Sequence, residues 1–97
     1  MPKGYWMVHI NVTDPERYKS YIADATPAYK EYGAKFLVRG GQADPVEAED
    51  LGPRHVVIEF DSLDKARACY NSETYQNARK HRLAASTGKV VIVEGAE

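Results

Sequence analysis

Four strand-like segments and two helical patterns alternate along this chain, and their order constrains the fold more than any other feature. The strand-like segments are rich in β-branched and aromatic residues and read GYWMVHINV, AKFLVRG, RHVVIEF and KVVIVEG. Helical patterns follow the first and the third segment, which gives the order β-α-β-β-α-β. This order predicts a ferredoxin-like α+β fold, with a four-stranded antiparallel sheet and the helices on one face.

The first helical pattern has recognisable ends and one interruption. Asp14 and Pro15 suit the N-cap and the first helical position, and Gly33 suits a left-handed cap at the other end. Pro27 lies inside the pattern and removes a backbone donor. We therefore expect a kink or a break near Asp24.

The second helical region contains two candidate N-caps, Ser62 before LDKARACYN and Ser72 before ETYQNARKHRLAA. A serine hydroxyl accepts a hydrogen bond from the backbone at the start of a helix. We expect one helix after Ser62 and a further helix after Ser72. The single cysteine of the chain, Cys69, reads as a small buried hydrophobe.

Tyrosines dominate one face of the first helix. Residues at helical spacing form a stripe that consists of Tyr18, Tyr21, Ile22, Ala25, Tyr29 and Tyr32. Such a stripe is more typical of a protein core than of a cofactor site.

The composition narrows the class of protein. We expect residues 1–97 to form a single domain. The 13 basic and 14 acidic side chains nearly balance, which argues against a nucleic-acid partner. We see neither a signal-peptide pattern nor an apolar run of the roughly 20 residues that span a bilayer. One cysteine fits a reducing compartment, and we expect a cytoplasmic protein without a membrane partner.

The strands carry apolar residues on both faces, although the helices can cover only one. The residues expected under the helices are Trp6, Val8, Ile10, Phe36, Val38, Val56, Ile58 and Phe60. Met7, Leu37 and Val57 then point to the helix-free face. At about 25 cal/mol per Å² of apolar area, leaving them in water forgoes on the order of several kcal/mol. We expect a second copy of the chain to cover this face as a symmetric homodimer; a monomer with scattered exposed apolar residues is the alternative.

Five segments in order, KGYW, VTDPERY, YGAKFLVRGG, HVVIEFDS and CYNSETYQ, resemble the domain of unknown function 1330 family. The similarity runs from Lys3 to Gly95. It implies a dimeric α/β barrel, in which two ferredoxin-like sheets face each other. The wider superfamily includes cofactor-free monooxygenases that act on polycyclic aromatics, muconolactone isomerases, haem-degrading enzymes and ligand-sensing domains. The resemblance therefore implies a fold and a range of activities, not one reaction.

Arg39 is the first candidate site residue. By strand alternation it shares a face with Leu37, so we expect it on the helix-free side at the rim of the barrel. Gly40 and Gly41 would let the backbone turn or approach another group closely. Arg39 is suited to hold a substrate carboxylate, enolate or phosphate. The alternative is an interface ion pair with Glu59 or with an acidic residue of the loop after this strand.

His9 and Glu59 are the candidate catalytic pair. We expect the first and third strands to be neighbours and to run parallel, which brings His9 level with Glu59 on the helix-free face. A carboxylate at this distance would orient the imidazole and favour its charged form, as in a general base or acid. The alternative is a polar pair inside a dimer interface.

Tyr5 and His55 share the same face and are candidate substrate-binding residues. His9, His55 and Glu59 match a two-histidine, one-carboxylate metal site in residue type. However, His55 and Glu59 are about 13 Å apart along one strand, so we expect no metal, and the sequence contains no cofactor motif.

These observations favour a small homodimeric protein that binds a small, partly apolar, anionic molecule in the barrel. It would be a cofactor-free oxygenase-like or isomerase-like enzyme, in which Arg39 holds the anion and His9 with Glu59 moves a proton. The alternative is a non-catalytic ligand-binding or structural dimer.

Overall fold

The computed structural model describes residues 2–97. The elements along the chain are β1 (Gly4–Val12), α1 (Pro15–Glu31), β2 (Lys35–Arg39), β3 (Arg54–Phe60), α2 (Leu63–Asn71), α3 (Glu73–Ala85) and β4 (Ser86–Glu94). The strands form one antiparallel sheet in the order β2-β3-β1-β4, with the helices on one face. The predicted ferredoxin-like α+β arrangement is confirmed, and the second helical region is divided at Ser72 as expected.

The two central strands are neighbours, but they run antiparallel, so the expected parallel pairing was wrong. The α1 crossover makes β2 parallel to β1, and the chain then reverses direction before β3 enters between them. β3 must therefore oppose both neighbours. As a result His9 lies opposite His55, and Tyr5 lies opposite Glu59.

β2 contains a β-bulge, because its register with β3 shifts between Phe36 and Val38. After the shift, Val38 pairs with Val57 and Arg39 pairs with Val56. Because a bulge adds one residue to the strand, every side chain after it points to the face opposite to the one that simple alternation predicts. Val38 therefore lies on the helix-free face, where it is 42% exposed, and Arg39 lies on the helix side. The expected positions of both residues were wrong.

α1 continues through Pro27 to its end at Glu31, so the predicted break near Asp24 is absent. The carbonyl that loses its donor belongs to Ala23, four residues earlier. Ala23 and Pro27 are both exposed, so water can satisfy this carbonyl. Gly33 ends the helix with a φ of 69°, in agreement with the predicted left-handed cap.

Trp6 is the centre of the core between the sheet and the helices, and it is 1% exposed. Its indole N–H donates a hydrogen bond of 2.9 Å to the carbonyl of Ala66 on α2. Its ring lies within 6 Å of four other aromatic rings, those of Tyr29, Phe60, Tyr70 and Tyr75. This cluster holds α1, α2 and α3 on the sheet.

Candidate functional site

The helix-free face of the sheet has an apolar row through its middle. Val91, Met7, Val57 and Val38 are successive cross-strand partners from β4 to β2. Met7 is 39% exposed and Val91 is 52% exposed. Within residues 2–97, all helices lie on the other face, so this row is open to solvent. We call the side of the sheet that carries it the open face.

His9 and His55 form a pair on the open face, beside the apolar row on one of its two flanks. Their Nδ1 atoms are 2.9 Å apart, so one ring donates a hydrogen and the other accepts it. Lys89 on β4 lies opposite His9. The two imidazoles are thus joined by one hydrogen bond, and a lysine occupies the neighbouring cross-strand position.

Tyr5 and Glu59 form a second pair on the open face, on the other flank of the row. The Tyr5 hydroxyl donates a 3.0 Å hydrogen bond to Glu59 Oε2, and this bond raises the pKa of Tyr5. Lys35 lies opposite Glu59. The structure therefore does not bring together the predicted pair of His9 and Glu59. Because β3 is antiparallel to β1, the Glu59 carboxylate lies on the opposite flank of the apolar row from His9.

A shallow cleft lies on the helix side of the sheet, between α1 and the β2–β3 edge. It is narrow and open to solvent, with a cavity volume of about 30 Å³, and we call it the α1 cleft. Its walls are mostly apolar and aromatic. They consist of Val8, Tyr18, Tyr21, Ile22, Tyr29, Phe36, Arg39, Arg54, Val56 and Ile58.

Arg39 and Arg54 supply the charge of the α1 cleft. The Arg39 guanidinium lies 4.1 Å from the centre of the Phe36 ring, a cation–π contact. Arg54 is half-buried, and its Nε is buried without a hydrogen-bond partner among the described residues. Among residues 2–97, neither arginine has a carboxylate within 4.0 Å. Two positive charges therefore meet an aromatic surface without local neutralisation.

Gly40 explains why β2 ends in an arginine followed by glycine. Its φ is 72°, in the left-handed region, and a Cβ there would collide with the Arg54 guanidinium. Glycine thus allows both the turn after Arg39 and the position of Arg54. The alternative ion pair between Arg39 and Glu59 was also wrong, because Glu59 lies on the open face.

Arg54 is the site residue that the sequence reasoning missed. It lies two residues before Val56 and four before Ile58, so strand alternation alone places it on the core side. A charged residue at a core-facing strand position is the signal that points to it. Tyr5 and His55 lie on the open face, so none of the other candidate residues reaches the α1 cleft.

Three tyrosine hydroxyls form a chain that begins in the α1 cleft. Tyr21 Oη lies 3.0 Å from Tyr29 Oη and 2.9 Å from Tyr75 Oη. Burial raises the pKa of each of the three hydroxyls. They are therefore neutral hydrogen-bond donors at physiological pH.

The lining of the α1 cleft determines which ligands it can bind. The α1 cleft can bind an apolar body and an anionic group, and its guanidinium groups can stabilise negative charge. Its lining includes neither an imidazole nor a carboxylate.

Within residues 2–97, no group of three His, Cys, Asp or Glu side chains could hold a metal ion. In the same residues, no helix is both long enough and apolar enough to cross a bilayer.

Known structures show the same fold over almost the whole chain. RPA0582, a protein of unknown function from Rhodopseudomonas palustris, aligns with a TM-score of 0.79 and 16% identity over 99% of this chain and 84% of that one. SnoaB, a cofactor-independent oxygenase from Streptomyces nogalater, aligns with a TM-score of 0.66 and 13% identity over 100% and 96%. A dimeric ferredoxin-like protein of unknown function from Thermobifida fusca aligns with a TM-score of 0.60 and 18% identity over 99% and 92%.

At such low sequence identities, the structural similarity shows a common fold and does not indicate a common activity. A comparison with curated proteins found no match. The resemblance drawn from the sequence segments is confirmed by a match between residues 3–96 and the sequence model of one family. The chain belongs to the family described as domain of unknown function DUF1330.

Proposed function

We propose that this chain forms a homodimer through its open face and binds a small, partly apolar anion in the α1 cleft. One observation carries the ligand proposal: Arg39 and Arg54 lie at an aromatic cleft without carboxylate partners among the described residues. A guanidinium presents a planar fork of donors that matches a carboxylate. The anion would take the place of the missing acidic partner.

The buried Nε of Arg54 adds a reason for a ligand. A buried donor without a partner destabilises a protein by roughly 1–3 kcal/mol. A carboxylate oxygen at this position would accept its hydrogen and would also approach Arg39, which is its diagonal neighbour on the same face of β3 and β2.

The walls of the α1 cleft suit a ligand that carries an apolar part in addition to its anionic group. Ile22 is a large apolar side chain at the rim that is 37% exposed, and the aromatic rings of Tyr18 and Phe36 lie on either side of the cleft. A ring of the size of benzene would cover this surface and stack on the aromatic walls.

The homodimer is proposed from the apolar row of the open face. The row crosses all four strands, and the polar pairs His9–His55 and Tyr5–Glu59 flank it. An apolar centre with a polar rim is the usual anatomy of an interface. The similar protein from Thermobifida fusca is described as dimeric, which supports a second copy of this chain as the occupant.

The reactions best suited to the cleft are those that pass through an enolate or a phenolate, such as cofactor-free oxygenation or isomerisation. Two guanidinium groups would stabilise the developing oxyanion. Because the cleft lining lacks an imidazole and a carboxylate, a suitable substrate must carry an acidic proton of its own. The likeness to SnoaB agrees with this reaction class at the level of the fold.

A ligand-binding protein without turnover is the second candidate, and the same lack of a base in the cleft favours it. Anthrone separates the two candidates, because it is a tricyclic ketone with an acidic methylene group. Oxygenation would convert this methylene to a carbonyl, with one oxygen atom of O₂ entering the product and the other leaving as water. Oxygen uptake that requires Arg39 and Arg54 supports the enzyme; binding without uptake supports the second candidate.

Binding itself is tested with 4-ethylbenzoate and its neutral analogue 4-ethylbenzamide. We expect 4-ethylbenzoate to bind more tightly and to shift the amide resonances of α1 and β2 in NMR spectra. Charged hydrogen bonds contribute about 1.5–3 kcal/mol, so Arg54→Met should weaken this binding roughly 10- to 100-fold.

Arg67→Met is the matched control, since Arg67 is exposed on α2 and pairs with Asp64. It should leave the affinity unchanged. Equal affinity for the acid and the amide, or an affinity that survives the loss of both Arg39 and Arg54, would show that the proposal is wrong.

A further inference from the structure

The histidine pair of the open face always presents a hydrogen-bond donor. The Nδ1 atoms of His9 and His55 bond to each other, and a neutral imidazole carries one hydrogen. The ring that accepts at Nδ1 must therefore carry its own hydrogen on Nε2, whichever of the two rings this is. Within residues 2–97, neither Nε2 atom has a hydrogen-bond partner. A pair that takes up one more hydrogen ion presents two such donors and a positive charge.

The Tyr5–Glu59 pair offers only acceptors. The Tyr5 hydroxyl uses its hydrogen in the bond to Glu59, which leaves lone pairs on the Tyr5 oxygen and on the carboxylate. Within residues 2–97, no lysine or arginine nitrogen lies within 4.0 Å of this carboxylate. If a second sheet covers the open face, the carboxylate needs a further donor, because a buried charge without partners is strongly unfavourable.

The two pairs lie at equal distances from the apolar row. On β1, His9 and Tyr5 lie two residues on either side of Met7. On β3, the other members of the two pairs lie two residues on either side of Val57. We call the side of the row with the two histidines the histidine flank, and the side with the Tyr5–Glu59 pair the acidic flank.

Two symmetric arrangements of two chains cover the apolar row along its whole length. Sheets that cross at right angles cover only the middle of the row, whereas aligned sheets cover all of it. The two-fold axis of aligned sheets runs either along the row or along the strands. With the axis along the row, the histidine flank of one chain faces the acidic flank of the other. With the axis along the strands, each flank faces its own copy.

The chemistry of the flanks favours the axis along the row. If each flank faced its own copy, two Glu59 carboxylates would meet without a donor between them, and their like charges would repel. With the axis along the row, His55 faces the partner's Glu59, and His9 faces the partner's Tyr5. The donors of one flank then meet the acceptors of the other. Packed sheets lie about 10 Å apart, a gap that an imidazole and a carboxylate can bridge from opposite sides.

We infer that the two-fold axis of the homodimer runs along the apolar row, and that the His9–His55 pair of each subunit donates to the Tyr5–Glu59 pair of the other. The inference rests on the homodimer of the proposed function, and it adds the orientation of the subunits and their polar contacts. The contact between an imidazole and a carboxylate that a single chain lacks would form between two chains, twice in each dimer.

Glu59→Gln distinguishes the two arrangements by the sign of its effect. The glutamine oxygen can still accept from Tyr5, so the substitution removes mainly the charge. With the axis along the row, it weakens a charged hydrogen bond at two places in each dimer, and the dissociation constant should rise about 100-fold. With the axis along the strands, it removes a repulsion, and the dissociation constant should fall. Sedimentation equilibrium measures both outcomes.

A double-mutant cycle with His55→Ala shows whether the two residues meet. His55 and Glu59 are about 13 Å apart along one strand, so their substitutions should be additive within a single chain. If His55 contacts the partner's Glu59, Glu59→Gln should no longer weaken the dimer in the His55→Ala background. Glu73→Gln is the control, because Glu73 is exposed on α3 on the other side of the sheet. It should leave the dissociation constant unchanged in both backgrounds.

An exchange of charges gives a second test. His55→Glu places two carboxylates opposite each other in the inferred arrangement, so it should dissociate the dimer. Adding Glu59→Lys to the same chain should restore the dimer, because each lysine then faces a carboxylate of the partner. The distance between the two positions in one chain excludes a restoration from within that chain.

The outcomes separate this inference from the proposed homodimer. If the native protein is dimeric but Glu59→Gln strengthens the dimer, or weakens it equally in both backgrounds, the inferred orientation is wrong and the homodimer stands. A doubly substituted chain that stays monomeric would also contradict the orientation. If the native protein is monomeric at micromolar concentration, both the inference and the homodimer are overturned.

Discussion

Val91→Lys is the substitution that tests the homodimer most directly. Val91 is on β4, in the apolar row of the open face, and it is 52% exposed. In a single chain, a lysine at this exposed position would change the free energy of unfolding by no more than about 0.5 kcal/mol. In the proposed homodimer, the same lysine would lie inside the interface.

The expected loss of dimerisation free energy follows from the exposed fraction of the Val91 side chain. Complete burial of a valine side chain contributes about 1.5–3 kcal/mol, so covering the exposed half of Val91 contributes about 1 kcal/mol in each subunit. Partial desolvation of a lysine adds a penalty of similar size or larger. With two copies in each dimer, the free energy of dimerisation should fall by ~4 kcal/mol, which is about a thousandfold in the dissociation constant.

Sedimentation equilibrium over a range of concentrations measures this constant. Leu83→Lys is the matched control, because Leu83 is 53% exposed but belongs to α3 on the other side of the sheet. We expect Leu83→Lys to remain dimeric and Val91→Lys to become monomeric at micromolar concentration. A native protein that is monomeric at these concentrations, or a Val91→Lys variant that dimerises as well as the native protein, would refute the reasoning.

The remaining predictions concern the helix side of the sheet. Burial raises the pKa of Cys69 to about 12, so Ellman's reagent should label the native protein at about pH 8 far more slowly than the unfolded chain. Fast labelling of the native protein would contradict the burial of this thiol. The contribution of the protonated thiol to the free energy of unfolding is complete below its ordinary pKa of 9.0 and is lost as the pH rises toward 12. Gly40→Ala should lower the free energy of unfolding by about 1–3 kcal/mol, because it strains a φ of 72° and displaces Arg54. Gly41→Ala, whose Cβ would meet no atom within 4 Å, should change it by less than about 0.5 kcal/mol in the same urea titration. Trp6→Ala should lower it by about 3–5 kcal/mol, and a loss below 1 kcal/mol would mean that Trp6 is not the centre of the core.

The fold could be predicted because each of its determinants is local. Strand composition, Asp14, Ser62 and Ser72 define the order and the ends of most elements. The exception is Pro27, whose effect depends on whether the freed carbonyl faces water, and a single helical pattern does not show this.

The position of Arg39 could not be predicted, because the residues before it are uniformly apolar. Phe36, Leu37 and Val38 can supply a buried side chain in either register, so alternation does not reveal a bulge. The bulge depends on pairing with β3, which is a contact between distant parts of the chain. Arg54 was predictable in principle, since it lies in a strand whose alternation is regular.

The prediction of a catalytic pair on the open face failed because the direction of β3 was predicted incorrectly. His9, His55, Tyr5 and Glu59 were assigned to the correct face, but His9 was matched with Glu59 in place of His55. Direction follows from the topology of the whole sheet, not from any one strand. The tyrosine stripe shows a similar limit, because its spacing predicts a buried face but not the hydrogen-bond chain from Tyr21 to Tyr29 and Tyr75.

The bulge in β2 has an evolutionary consequence. Loss of the codon for Leu37 would restore strict alternation, yet Val38 would still pair with Val57 and Arg39 with Val56. A single deletion could thus remove the bulge and leave the positive charge in the groove under the first helix. Homologues that are one residue shorter at this point should therefore still hold an anion on the same surface, although strand alternation read from their sequences would then be regular.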